Sequence, residues 1–191
     1  MHHVQTYLDI GFRHVLDINA YDHILFVIAL SIIYASREWK KVLILITAFT
    51  IGHTVSLGLS TLDIVRLPVN LVETLIPLTI IATCIYNILK VRGDNQKIWI
   101  HYLMAGGFGI IHGMGFSNQL IPLLGNSIVI ELFGFNIGVE LGLLLVVVAV
   151  TIISYILVNY LKVSHKIWVW TVSLVVMLVS IRLLVFVLKN S

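Results

Sequence analysis

Asp22 and His23 stand side by side near the start of an apolar run, and His53, Glu73, His112 and Glu140 each sit inside a later one. An ionisable side chain at mid-bilayer depth costs about 2.5–3.5 kcal/mol, so each of these groups needs a partner. Imidazoles and carboxylates without a thiolate suit Zn²⁺, Ni²⁺, Co²⁺ or Fe²⁺, and a cation would relieve the cost of burying the carboxylates. The ligands expected from residue type are His23, His53 and His112, with Asp22, Glu73 or Glu140 completing the set or supporting it. Adjacent helical residues point about 100° apart, so one of Asp22 and His23 is expected to ligate while the other orients a neighbour. His14, Asp17, Asn136 and Arg182 are candidates for supporting roles. Arg182 suits a structural or snorkelling role, paired with a lipid phosphate or with Glu140.

Such residues form a site only if separate elements carry them to one place. The 191 residues are 59% hydrophobic and 11% charged, with a mean hydropathy of +1.04. A soluble domain cannot hide that much apolar surface, so most of the chain must face lipid or other membrane helices. Six segments approach the roughly 20 apolar residues that a helical span requires: about 20–36, 42–60, 69–89, 98–121, 132–160 and 167–188. Pro68 and the Gly-Asn-Ser at 125–127 mark turns between them. Residues 1–18 differ. Val4, Tyr7, Leu8, Gly11, Phe12, Val15 and Leu16 share one helical stripe, with Gln5, Asp9, Arg13, His14 and Asp17 elsewhere. That pattern describes an amphipathic helix at the outer interface, either an anchor or a cap over a site. The expected fold is all-α: a single integral membrane domain over 1–191, with about six transmembrane helices behind an interfacial one.

The net charge of +3 and pI near 9.1 are explained by topology, and nucleic acid is not an expected partner. Arg37, Lys40, Lys41, Lys90, Arg92, Lys97, Lys162 and Lys166 are eight of the twelve Lys and Arg, and all fall in the loops 1–2, 3–4 and 5–6. The positive-inside rule puts those loops in the cytoplasm and both termini outside. His53 then lies about 18 Å from the cytoplasmic end of its helix at 1.5 Å per residue, beyond the midplane. His112 is at a similar level, and Asp22, His23, Glu73, Asn136 and Glu140 fall in the first turns or first third of spans that begin outside. His101 and His165 lie near the cytoplasmic edge, and the inner half otherwise offers neutral groups such as Ser31, Thr83, Asn87, Ser154 and Asn159. The expected partners are therefore the lipid bilayer and a metal ion held in the outer half. A homo-oligomer is compatible with the pattern.

Local sequence agrees with close packing around this level. Gly109 and Gly113 flank His112, so a neighbouring helix can approach its imidazole. Gly134, Gly138 and Gly142 form a GxxxGxxxG stripe, and Asn136 and Glu140 lie on another face of the same helix. Pro77 frees the carbonyl of Glu73 four residues earlier and bends span 3.

In "DH" at 22–23, "TAFTIGHTVSLGLS" at 47–60, "LPVNLVETLI" at 67–76, "HGMGF" at 112–116 and "FGFNIGVELG" at 133–142, the chain resembles the HupE/UreJ family. The similarity runs in order along nearly the whole chain. It implies a small polytopic protein of the bacterial inner membrane, associated with nickel uptake for hydrogenase and urease systems. Asp22 and His23 match the end of the family's H-x5-D-H motif, with His14 two residues too far upstream to be its first histidine. Gly109, His112 and Gly113 match within FHGxAHGxE, where Phe108 and Gly115 replace the first histidine and the glutamate, as in a divergent branch.

Two functions follow from the residues and the resemblance. One is a divalent metal ion permease of the nickel, cobalt or zinc class. The other is a membrane-embedded zinc-dependent hydrolase acting from the outer side on a lipid, lipoprotein or peptide, with Glu73 or Glu140 as the catalytic general base. A structural polar core or a partner subunit is a third reading, so whether the chain is an enzyme stays open. No GxSxG, HExxH, phosphate loop or nucleotide fingerprint is present, and the lone Cys84 lies away from the cluster.

Overall fold

A computed structural model describes residues 2–18, 21–34, 38–91, 98–123 and 128–190. Arg37, Arg92, Lys97 and the turn at 125–127 lie outside the described residues. Within them the chain is helical with no strand: α1 His2–Leu16, α2 Asp22–Ser31, α3 Trp39–Thr61, α4 Val69–Lys90, α5 Ile98–Leu120, α6 Ile128–Tyr155 and α7 His165–Asn190. A single 3-10 turn follows α5, and a π-helical turn, Ile156–Tyr160, extends α6. The protein is an all-α membrane bundle. Among the described residues four helices are long and apolar enough to cross a bilayer: α3, α4, α7 and α6 with its π turn. α5 has the length, but His101, His112 and its glycines dilute its apolar run.

Three helix pairs dominate the packing, α3 with α5, α1 with α6, and α4 with α7, and α2 touches every one of them. α2 is the inner rod. His23, Phe26, Val27, Ala29, Leu30 and Ser31 are all buried, as are Ile32, Ile33 and Tyr34 after it. It is only ten residues long, so it spans about 15 Å, half the hydrocarbon core of a bilayer. The apolar run at 20–36 is therefore helical over a much shorter stretch than its hydropathy implies.

The other half of that path is filled by α1. Its apolar stripe packs lengthwise and parallel to α6, with Tyr7, Gly11 and Val15 buried and Gln5, Asp9 and Arg13 exposed. Glycines on both helices make the contact: a side chain on Gly138 would overlap the Leu8 carbonyl, and one on Gly11 the Phe135 carbonyl. The GxxxGxxxG face of α6 thus has α1 as its partner. α3 and α5 run parallel in the same fashion, with Gly109 against the Phe49 carbonyl and Gly113 against that of His53. Ser60 donates to Ser117 Oγ at 2.7 Å near the far ends of this pair. α4 continues unbroken through Pro77.

Lys41, Lys90, Lys162 and Lys166 all lie at one end of the bundle, where α3, α5 and α7 begin and α4 ends. This is the basic end. The opposite end carries the junctions of α3 with α4 and of α5 with α6, and there the Tyr7 hydroxyl donates to the Leu123 carbonyl at 2.6 Å.

Candidate metal centre

α2 begins inside the bundle, and its first turn supplies Asp22 and His23. The Asp22 Oδ1 accepts from the His23 amide at 2.9 Å and faces the His23 Nδ1 at 3.1 Å. A carboxylate at a helix N-terminus is favoured by the backbone dipole. The same carboxylate offsets the positive end of that dipole, which would otherwise oppose a cation. With Nδ1–H donating to Asp22, the His23 Nε2 lone pair is left open.

Around His23 the bundle gathers three further imidazoles: His14 from α1, with ring centroids 4.7 Å apart, His112 from α5 at 4.9 Å and His53 from α3 at 6.0 Å. His23, His53 and His112 are 3%, 0% and 1% exposed. Two donor groups result, His14 with His23 and His53, and Asp22 with His23 and His112, each with ligand atoms within 4.8 Å of one another. Ligands at 2.0–2.1 Å from a tetrahedral ion lie roughly 3.3 Å apart, so small side-chain rotations close either group on a cation. Nε2 of His14, His23 and His53 and both ring nitrogens of His112 are buried with no hydrogen-bond partner among the described residues. Buried polar groups are paired as a rule, and leaving one unpaired costs about 1–3 kcal/mol. Unpaired nitrogens on all four rings, gathered in two overlapping donor groups, fit a cation that supplies the missing partner.

Asn136 orients one of these imidazoles. Its Nδ2 donates to the Leu132 carbonyl at 2.8 Å, which turns its Oδ1 toward the His53 Nδ1 at 3.3 Å. An acceptor there requires Nδ1–H, so Nε2 carries the free lone pair. Asn136→Leu is expected to lower metal affinity about 10–100-fold, the usual effect of removing such an outer partner, with helicity unchanged. Equilibrium metal binding with a parallel circular dichroism spectrum checks both. Four phenylalanines wall the group. Phe49 lies 5.4 Å from His112 and 5.9 Å from His53, Phe26 5.5 Å from His112, Phe116 3.8 Å from His14 and Phe135 5.7 Å from His14.

Glu73, Glu140 and Arg182 fall in neither donor group. Glu73 is exposed on α4 and lines a cavity of about 230 Å³ with Tyr21, Asp22, Ile76 and Phe186, so it stands at a mouth leading to Asp22. Glu140 faces a cleft of about 290 Å³ between α3 and α6, where it accepts from Thr47 Oγ1 at 3.3 Å. Arg182 is exposed on α7. Asp17 shares a third cavity, about 490 Å³, with Arg13, His14 and Phe116. His14, expected in support, thus lies in one of the two candidate donor groups, and the phenylalanine wall carries no signal in residue spacing.

The family model for the HupE/UreJ protein matches residues 1–190. The chain belongs to the HupE/UreJ family. No curated protein and no solved structure matches it. HupE/UreJ proteins are membrane proteins associated with nickel and cobalt transport, which accords with the apolar helices and with the His and Asp donor groups. The geometry also explains one departure from the family pattern. A histidine separated by five residues from Asp22-His23 would fall at Leu16; here His14 on α1 reaches the same imidazole group instead. Phe108, standing where the second motif has its first histidine, packs edge-on against Phe26 at 5.3 Å.

Proposed function

We propose that this HupE/UreJ protein is a divalent metal ion permease of the bacterial inner membrane, with Ni²⁺ or Co²⁺ as its cargo and Zn²⁺ as a competitor. It crosses the membrane several times with both termini extracytoplasmic, because the basic end suits the cytoplasm. The ion arrives past Glu73 and Asp22 and is held by His23 with His14, His53 and His112. One observation supports this reading above the others: five buried imidazole nitrogens without partners meet at one level of the bundle. Imidazole-rich sets with a single carboxylate favour borderline transition metals over Mg²⁺ or Ca²⁺. The hydrolase alternative is not favoured. It needs Glu73 or Glu140 beside the ion as general base, yet Glu140 is turned to Thr47 and Glu73 is exposed at the cavity mouth.

Uptake of radiolabelled Ni²⁺ and Co²⁺ into proteoliposomes tests the proposal. Uptake is expected to saturate and to be blocked by Zn²⁺, and protein that binds the ion tightly without moving it would sink the permease reading.

A further inference from the structure

The basic end holds a second buried polar group that the histidine centre does not use. His101 is 2% exposed and Asn87 is fully buried. The Tyr34 hydroxyl and the His101 Nδ1 are hydrogen-bonded to each other, and the Tyr86 ring lies 4.4 Å from the imidazole. Asn87, next to Tyr86, donates its Nδ2 to the Ala29 carbonyl at 2.6 Å. Two atoms remain without a hydrogen-bond partner among the described residues, the His101 Nε2 and the Asn87 Oδ1. Both are natural donors to a cation. Glu38, at the foot of α3, is close enough to Tyr34 and to His165 for its charge to act on each, and it pairs with Lys41 at the surface.

The placement relative to the first centre is regular. His101 and His112 are eleven residues apart on α5, so they lie on nearly the same helix face and about 16 Å apart along it. His23 and Tyr34 are separated by the same interval along α2 and the turn after it, so α5 presents a histidine to this segment at each level. Between the levels stand Phe26, Phe49 and Phe108, with Phe26 5.1 Å from Phe49 and 5.3 Å from Phe108. A hydrogen bond that merely stapled α2 to α5 would need only the Nδ1 of His101. The open Nε2 and the open Asn87 oxygen would then be an unrelieved burden.

We propose that Tyr34, His101 and Asn87 form a second, weaker cation station, separated from the histidine centre by the Phe26–Phe49–Phe108 plug and discharging past Glu38 and His165. Its purpose rests on the permease reading, but its existence does not. Titration of the detergent-solubilised protein with Co²⁺, followed by ligand-field absorption and by equilibrium stoichiometry, tests it directly. Two equivalents per chain are expected, the tighter lost in His23→Ala and the weaker lost in His101→Ala. Tyr34→Phe should keep the weaker one with about tenfold lower affinity, as when a partner that orients a ligand is removed. Filling of the tighter site in His101→Ala shows that the variant has folded, and His101→Gln serves in its place if it has not. A single equivalent in the wild type, or a second one that survives both His101 variants, overturns the proposal. In proteoliposomes, His101→Ala should bind the first ion normally yet take up Co²⁺ at least about tenfold more slowly, and wild-type uptake by that variant would remove the station from the path. A wild-type protein that fills both sites without uptake would end the permease reading and leave the station standing.

Discussion

His23→Ala is expected to abolish tight metal binding, and to do more damage than loss of any other single histidine. His23 belongs to both donor groups, whereas His14 and His53 belong to one and His112 to the other. Removing His53 leaves Asp22, His23 and His112 intact, and removing His112 leaves His14, His23 and His53. Removing His23 leaves neither group complete and deprives Asp22 of its hydrogen-bond partner. Losing a partner that only orients a ligand costs about 10–100-fold in affinity. Loss of a ligand common to both groups should exceed that upper figure, while His53→Ala and His112→Ala stay nearer to it. Competitive Co²⁺ binding against a chelator of known affinity gives the ranking. Equal losses for all four histidines would mean a single four-imidazole site in place of two overlapping ones. The fold should survive, because the substitution also removes an unpaired buried nitrogen.

The depth of these residues can be counted from sequence, since a helix advances 1.5 Å per residue wherever it points. Their azimuth cannot, because rotation about the helix axis is decided by packing. Glu140 and Asn136 lie one turn apart on α6 and share the cleft with α3, yet only Asn136 reaches a histidine. Glu73 has a depth close to that of Asp22 but sits on an exposed face of α4. The end of α2 was equally hard to read. Ile32, Ile33 and Tyr34 remain apolar and buried beyond the last helical residue, and hydropathy reports burial, not hydrogen bonding. The glycine stripe of α6 and the apolar stripe of α1 were each legible, but a stripe names a face and never its occupant. His14 is the case in point: its position depends on a helix pairing that local periodicity does not encode.

That pairing makes the second prediction. α1 has no covalent tie to the centre other than the short link at 17–21, and it holds His14 in place through its seat on α6. Any side chain at Gly138 would overlap the Leu8 carbonyl and crowd the Phe12 amide. These are backbone atoms of a helix, which cannot rotate aside, so α1 must move off. Overpacking of this kind costs about 1–3 kcal/mol, borne by the α1–α6 contact while the α3–α5 and α4–α7 pairs are untouched. Gly138→Leu should therefore lower metal affinity about as far as His14→Ala does. The double variant should be no worse than either alone, because a ligand already displaced cannot be lost again. Gly107→Leu is the matched control, since Gly107 is exposed and a Cβ there meets no atom within 4 Å. If the losses in the double variant instead add, α1 has stayed seated, and His14 contributes to the site by a route other than the helix that carries it.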